Sequence, residues 1–101
     1  MALHVLATFV AQDQHRTEVA RLLHGLVEII RADPGCLRCH LVEQSGATGT
    51  FVYIEEWQDK AALEKHLADP AVGEVAEAVG PLLAMPFTID HGEELRLEMI
   101  V

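Results

Sequence analysis

The sequence predicts an α+β fold in which a four-stranded antiparallel sheet carries helices on one face only. β-prone segments alternate along the chain with segments whose apolar residues recur at helical steps of three and four residues. Turn residues separate these segments, and no internal repeat or linker lies between them. The predicted order β-α-β-β-α-β is that of the split βαβ, or ferredoxin-like, arrangement.

Residues 3–35 predict the first strand, the first helix and a turn. The run LHVLATFV, Leu3 to Val10, is rich in β-prone residues. A helix is predicted from about Gln14 to Ala32, because its apolar residues follow the helical period. Those residues are Val19, Leu22, Leu23, Leu26, Val27 and Ile30. The turn sequence Asp33-Pro34-Gly35 ends this helix.

A β-hairpin is predicted next. Cys36 to Gln44 forms the second strand, SGATG (residues 45–49) the loop, and TFVYIEEW (residues 50–57) the third strand. The third strand is apolar on both faces, because Val52 and Ile54 alternate with Phe51 and Tyr53. Since helices cover only one face, we expect a second copy of the chain to cover the other and give a homodimer.

Two short helices are predicted after the hairpin. Asp59 is a plausible N-cap for the first of them. Asp69-Pro70 interrupts the helical pattern, and a further helix spans Val72 to Val79 before Gly80-Pro81 ends it.

The C-terminal part is predicted to be extended from about Leu82 to Asp90. Beyond Gly92 the sequence EELRLEMIV is interpreted as a further strand or as a tail that reaches a partner chain. Residues 1–101 are therefore predicted to form one domain, with its core at about residues 3–90.

Composition excludes several classes of function. The chain has 16 acidic against 7 basic residues and a formal net charge of −9, whereas nucleic-acid binding needs clustered Lys and Arg. No apolar run approaches the roughly 18–20 residues that cross a bilayer, and the N-terminus lacks the basic start of a signal peptide. The two cysteines give no disulfide framework, so we expect a cytoplasmic protein.

The stretch PGCLRCHL, residues 34–41, raises the question of a redox or metal site. In a regular strand the side chains alternate, so Cys36 and Cys39 are predicted on opposite faces, where they neither bridge nor share a metal. A structural zinc site also needs four ligands. We interpret Cys39 as a small core residue and Cys36 as a turn residue, with a lone reactive thiol as the alternative.

His66 is the strongest candidate for chemistry among the six histidines. It is predicted on the same side of its helix as Leu63 and Leu67, facing the sheet. An imidazole has an unperturbed pKa of about 6.5, which suits proton transfer. His66 is thus either a functional base or a core histidine with a hydrogen-bond partner. His4 and His40 lie on predicted strands, where they could face a cavity.

Glu55 and Trp57 share a face of the third strand with Tyr53. A carboxylate on a central strand is costly to bury without a donor, so Glu55 either reaches the edge of the sheet or meets a hydrogen-bond donor. Trp57 either walls a pocket or packs in the core.

A set of spaced residues resembles a known family. Gly35-Cys36, Leu41, Glu55-x-Trp57 and, nine residues later, His66-Leu67 before Pro70 occur together in this order. With them the chain resembles the antibiotic biosynthesis monooxygenase (ABM) domain over about residues 3–90. One departure is Cys39, because many relatives carry Tyr at that place.

The resemblance implies a dimeric α+β barrel that works as a cofactor-independent monooxygenase. Such an enzyme removes a proton from a quinol or similar small aromatic, and the electron-rich anion itself reduces O₂, so neither flavin nor metal is expected. The resemblance implies His66 as the catalytic residue. The residues expected to bind or surround the substrate are Trp57, Tyr53, Glu55, Thr8 and His40.

Two other functions stay open from the sequence. Related small dimers move protons on oxygenated metabolites without O₂, so a cofactor-free isomerase would use His66 equally well. A non-catalytic dimeric module that binds a small ligand is the third hypothesis. A haem-degrading activity is not expected. The haem-degrading branch of the family uses an Asn near Thr8, a Trp in place of His66 and a His near Ala76, and this sequence has none of the three.

Overall fold

The computed structural model describes residues 2–100 and contains one four-stranded sheet with three α-helices. The strands are β1 (Leu3–Val10), β2 (Cys36–Glu43), β3 (Thr50–Trp57) and β4 (Thr88–Glu93). The helices are α1 (Arg16–Ala32), α2 (Lys60–Leu67) and α3 (Pro70–Val79). Single 3₁₀ turns lie at Asp13–His15, Gly80–Leu82 and Leu97–Met99.

The strand order across the sheet is β2-β3-β1-β4, and every neighbouring pair is antiparallel. This is the predicted ferredoxin-like topology, and the α+β fold class is confirmed. On the two central strands, β3 and β1, every inward side chain is buried. Their inward side chains alternate regularly with outward ones, as the burial pattern of each strand shows.

The core lies between one face of the sheet and the helices. Val5, Ala7 and Phe9 of β1 are buried on this face beside Tyr53 of β3. The predicted apolar stripe of α1 packs over them, with Val19, Leu23, Leu26, Val27 and Ile30 buried and Leu22 half-buried.

α2 and α3 begin at capping residues that the sequence contains. The Asp59 side chain accepts a hydrogen bond from the Ala62 amide, and the Asp69 side chain accepts one from the Ala71 amide. Predicted as starting at Val72, α3 instead starts at Pro70, because proline suits the first position of a helix. Asp69-Pro70 thus separates two helices, as expected.

The C-terminal part differs from its prediction. β4 covers Thr88–Glu93, whereas the strand was expected at about residues 82–90. Leu83 makes only an isolated bridge to Ala11, and the Met85-Pro86 region is irregular, because proline has no amide hydrogen to donate to a strand. Among the described residues after β4 there is no further strand, and Val101 lies outside them.

A β-bulge corrects the prediction for the two cysteines. Cys36 pairs with Trp57 and Cys39 with Glu55, and the register shifts at Leu37 between them. Because Trp57 and Glu55 are two residues apart on one strand, both cysteines lie on the helix-facing side. The prediction of opposite faces was wrong, since it assumed a regular strand. Both thiols are free, with Cys39 buried and Cys36 half-buried.

The other face of the sheet, which we call the outer face, is open. Leu6, Val42 and Ile54 are 39–48% exposed there. Leu6 and Ile54 are directly paired between β1 and β3, so their side chains form a continuous apolar surface. No helix among residues 2–100 is long and apolar enough to cross a membrane.

Candidate functional site

An apolar cavity of about 300 Å³ lies between the inner face of the sheet and the helices. β1 and β3 form its floor, α1 one wall, and α2 and α3 the opposite side. Its lining is almost entirely apolar: Val5, Ala7, Phe9, Leu23, Leu26, Ile30, Leu63, Leu67, Val72, Gly73, Val75, Ala76, Phe87 and Ile89. The exceptions are Tyr53, Glu55 and His66. A volume of this size is typical of the smaller ligand sites in proteins.

His66 lies on α2 with its side chain turned toward the sheet, and only 5% of the residue is exposed. The predicted inward orientation is therefore confirmed. No hydrogen bond joins its imidazole to another of the described residues, so its ring nitrogens are available to a ligand. Burial lowers the pKa of His66, and the carboxylates of Asp33 and Asp69 oppose this in part. The neutral imidazole is thus the favoured form.

The turn before β2 sets the position of α2. The Gln58 amide donates a hydrogen bond to the Gly35 carbonyl, and the Gly35 amide donates one to Asp33. A Cβ atom at Gly35 would lie 2.6 Å from the Cβ of Ala62. Glycine is therefore required here for the close approach of α2, which carries His66.

Trp57 connects Glu55 with His66. Its indole nitrogen donates a 2.7 Å hydrogen bond to Glu55 Oε1. The Trp57 ring lies against the imidazole of His66, with ring centroids 4.5 Å apart and planes inclined by 32°. Trp57 itself is fully buried and does not line the cavity, so its role is to hold the other two residues.

Glu55 is buried at the floor of the cavity, where 6% of the residue is exposed. Burial raises the pKa of the Glu55 carboxyl, and the indole hydrogen bond opposes this by favouring the ionised form. The sequence left two possibilities for this carboxylate, and the structure shows the second: Glu55 meets a donor, which is Trp57.

Tyr53 shapes the cavity without being free to transfer protons. Its hydroxyl donates a hydrogen bond to the carbonyl of Leu23, which ties β3 to α1. Burial raises the pKa of Tyr53 well above its usual value. The ring packs edge-on against Phe9, with centroids 5.8 Å apart.

The opening of the cavity lies between the start of β4 and the end of α2. Phe87 and Leu67 both line the cavity, yet they are 36% and 44% exposed. Phe87 stacks on Phe9 at a centroid distance of 5.0 Å. The entrance is therefore apolar and partly aromatic.

Thr8 and His40 are placed away from the cavity. Thr8 alternates with the inward residues Ala7 and Phe9, so its side chain belongs to the outer face. His40 is exposed and pairs with Ile54, also on the outer face. The expectation that they adjoin the cavity was wrong, because the alternation of side chains along β1 and β2 directs both residues outward.

The sequence did not identify the rest of the lining. Leu23, Leu26 and Ile30 were recognised only as the apolar stripe of α1, since a helical period looks the same over a core and over a cavity. Phe87 had no signal beyond its place in an extended segment.

The cysteines do not form a reactive or metal-binding centre in the described part of the chain. Burial raises the pKa of Cys39 to about 12 and also raises that of Cys36, so both stay as thiols near neutral pH. No group of three potential metal-ligating side chains occurs within residues 2–100. Cys39 has the core position that was predicted for it.

Comparison with known proteins places the chain in a family. A family model described as antibiotic biosynthesis monooxygenase matches residues 2–78. The chain belongs to this family. The predicted resemblance is thus confirmed, and the match includes the segment from Gly35 to Pro70 on which it rested.

Two curated proteins are similar to this chain. An uncharacterised protein, sll1783, of Synechocystis sp. is 31% identical over 74 residues, which is 73% of this chain and 50% of that protein. YcnE of Bacillus subtilis (strain 168), provisionally named a monooxygenase, is 36% identical over 53 residues, 52% of this chain and 56% of YcnE. The chain therefore spans about half the length of the curated relatives it matches.

A solved structure of the same fold is that of Rv0793 from Mycobacterium tuberculosis. It is 26% identical to this chain and superimposes with a TM-score of 0.88, over 95% of this chain and 97% of that one. A second solved structure, described as an antibiotic biosynthesis monooxygenase, is 29% identical and superimposes with a TM-score of 0.88, over 93% of this chain and 99% of that one. The fold of this chain therefore matches that of an ABM structure.

Proposed function

We propose that this protein is a cofactor-independent monooxygenase that oxidises a small quinol-type aromatic with O₂. One observation carries the proposal: a buried imidazole that has no hydrogen-bond partner among residues 2–100 borders an apolar cavity of about 300 Å³. A proton acceptor beside an apolar binding site is what the deprotonation of a phenolic substrate requires. Membership of the ABM family supports the same activity.

The reaction needs no other reductant than the substrate. His66, in its neutral form, accepts the proton of a substrate hydroxyl, and the resulting anion transfers electrons to O₂. A quinol supplies all four electrons, two in forming the new C–O bond and two in becoming a quinone. One oxygen atom stays in the product and the other leaves as water. The apolar lining excludes bulk water from the anion.

Oxygen uptake tests this proposal directly. The purified protein, with no added cofactor, is supplied with a panel of quinols that have either one ring or two fused rings. It should consume O₂ with at least one of them. His66→Gln should lower the rate by ~10²-fold or more, the usual contribution of a general base. His24→Gln, which changes an exposed histidine of α1, is the matched control and should keep the rate.

Other outcomes would contradict the monooxygenase. Turnover without O₂ uptake would indicate the isomerase instead. Absence of turnover with the whole panel, or an unchanged rate in His66→Gln, would leave a ligand-binding module as the better description.

We also propose that the protein works as a homodimer in which two outer faces pack together. The supporting observation is the apolar surface formed by Leu6, Val42 and Ile54, which the described part of the chain leaves 39–48% exposed. Thr8 and His40 lie on the same face, so we assign them to this contact surface and not to substrate binding.

A further inference from the structure

The Glu55 carboxylate has one oxygen engaged and one oxygen open. Oε1 accepts the hydrogen bond from Trp57. Within residues 2–100, every side-chain nitrogen or oxygen closed off from solvent has a hydrogen-bond partner. Oε2 accepts no hydrogen bond from any of these residues, so it is open to a water-sized molecule. Since Glu55 lines the apolar cavity, that approach comes from the cavity.

Glu55 and His66 are thus the two polar positions at which a ligand in the cavity finds a free hydrogen-bonding atom. The third polar residue, Tyr53, already donates its hydroxyl hydrogen to Leu23. The other residues that line the cavity are apolar. A ligand that leaves Oε2 without a partner therefore forfeits the hydration of a buried carboxyl group, which is costly.

We propose that Glu55 is a specificity-determining residue that selects ligands presenting a hydroxyl group to Oε2, over the corresponding carbonyl compounds. The proposal rests on the cavity of the proposed function and adds the form of substrate that it accepts. His66 would contact one hydroxyl group of the ligand and Glu55 a second one.

The chemistry of the carboxyl group gives this preference its direction. A carboxylate only accepts hydrogen bonds, whereas a carboxylic acid both donates and accepts them. A hydroxyl group can therefore pair with either form of Glu55. A quinone carbonyl can pair only with the acid, and it is repelled by the carboxylate. The hydrogen bond from Trp57 favours the carboxylate over the acid. In the carboxylate form the cavity should hold a quinol more tightly than the quinone made from it, which also favours release of an oxidised product.

Binding measured without turnover tests the proposal. Under nitrogen, with the full chain, calorimetric titration should show 1,4-dihydroxynaphthalene binding about tenfold more tightly than 1,4-naphthoquinone, the effect of one hydrogen bond to a charged group. 1,4-Dimethoxynaphthalene, which has no hydroxyl hydrogen, should bind as weakly as the quinone. This comparison uses the unmodified protein and so does not depend on how any variant folds.

Glu55→Gln provides the second arm. The amide oxygen can still accept the Trp57 hydrogen bond, while the amide nitrogen replaces Oε2 with a donor that suits a carbonyl. The preference for the quinol should fall by about tenfold. Glu56→Gln is the matched control, because Glu56 is the next residue, faces the other side of β3 and pairs with Arg38. It should leave the preference unchanged.

The results separate this inference from the proposed function. Equal affinity for quinol and quinone, tight binding of the dimethyl ether, an unchanged preference in Glu55→Gln, or no binding at all would overturn it. If the preference is found but no O₂ is consumed, Glu55 still determines specificity and only the monooxygenase fails.

Discussion

Burial acts on Glu55 and His66 in opposite senses on the pKa scale, yet it drives both toward their neutral forms. It raises the pKa of the carboxyl group and lowers that of the imidazole, because the charged form of each loses hydration in the apolar cavity. Their link is the Trp57 ring, which is hydrogen-bonded to one and packed on the other. A small site with one proton acceptor and one hydrogen-bonding anchor results.

The lowered pKa of His66 predicts a loss of stability on acidification. Above about pH 6.5 the residue is neutral in the folded and unfolded chain alike, so the free energy of unfolding carries no penalty from it. As the pH falls below that value, the unfolded chain binds a proton that the folded chain resists, and stability decreases until the folded pKa is passed. The raised pKa of Glu55 acts the other way, because the folded chain then binds the extra proton.

Urea unfolding of wild type and His66→Gln across this pH range measures the effect. The free energy of unfolding of wild type should fall between about pH 7 and pH 5.5 relative to that of the variant. His24→Gln, at an exposed position, should follow the wild type. A difference between wild type and His66→Gln that does not change with pH would show that the imidazole is not held neutral by burial.

Trp57→Phe should destabilise the fold for two reasons: Glu55 loses its hydrogen bond, and the smaller side chain leaves space in the core. Phenylalanine keeps an aromatic ring beside His66 but removes the indole donor, which leaves a buried carboxyl group without its partner. An unsatisfied buried group costs about 1–3 kcal/mol. Circular dichroism in urea measures this change. Adding Glu55→Leu to Trp57→Phe removes both partners and should recover part of the loss; no recovery in the double variant would contradict this interpretation.

At the scale of elements, periodicity was enough for most of the fold. The apolar stripe of α1 and the strand 50–57 were predicted within a residue or two, because each has one dominant period and clear turn residues at its ends. The same parity put three residues on one face of β3, although it did not show which face looks into the cavity. Tyr53, Glu55 and Trp57 were therefore placed together correctly.

The failures have physical causes that a local pattern does not contain. The bulge at Leu37 reverses the parity of β2, and nothing in the sequence Cys-Leu-Arg-Cys marks it. Thr8 was assigned from the resemblance, although parity with Ala7 and Phe9 already directed it outward. Phe87 reaches the cavity through an irregular segment, whose path depends on tertiary packing alone.

The contact between Gly35 and α2 predicts a coupled loss of stability and activity. In Gly35→Ala the new Cβ would meet the Cβ of Ala62 at 2.6 Å, so α2 must shift and carry His66 with it. Overpacking of this kind costs about 1–3 kcal/mol. The free energy of unfolding, measured with a chemical denaturant, and the rate of O₂ uptake should both fall.

Two further variants separate the clash from other effects of alanine. Gly25→Ala lies in the middle of α1 with no atom within 4 Å of the new Cβ, so it should stabilise the chain by about 0.5–1 kcal/mol. Ala62→Gly combined with Gly35→Ala removes the contact and should restore O₂ uptake. If the double variant stays inactive, the position of α2 does not depend on this contact.

For the whole molecule, charge and apolar surface oppose each other in the proposed dimer. Each chain has a formal net charge of −9, so two copies repel at long range. The apolar side chains of the outer face favour association. Because salt screens the repulsion and leaves the apolar contact intact, association should strengthen as ionic strength rises.

Ile54→Lys tests whether the outer face is the dimer surface. Ile54 is 44% exposed at the centre of that face, and a lysine there would lose hydration if a second sheet covered it. The substitution also makes the chain less negative, so dissociation could not be attributed to greater repulsion. Ile29→Lys is the matched control, since Ile29 is also 44% exposed but lies on α1. Light scattering at micromolar concentration should give a dimer for wild type and Ile29→Lys and a monomer for Ile54→Lys. A monomeric wild type, or an Ile54→Lys dimer as stable as the control, would contradict this assembly. The cavity is formed within one chain, so quinol binding should survive in the monomeric variant.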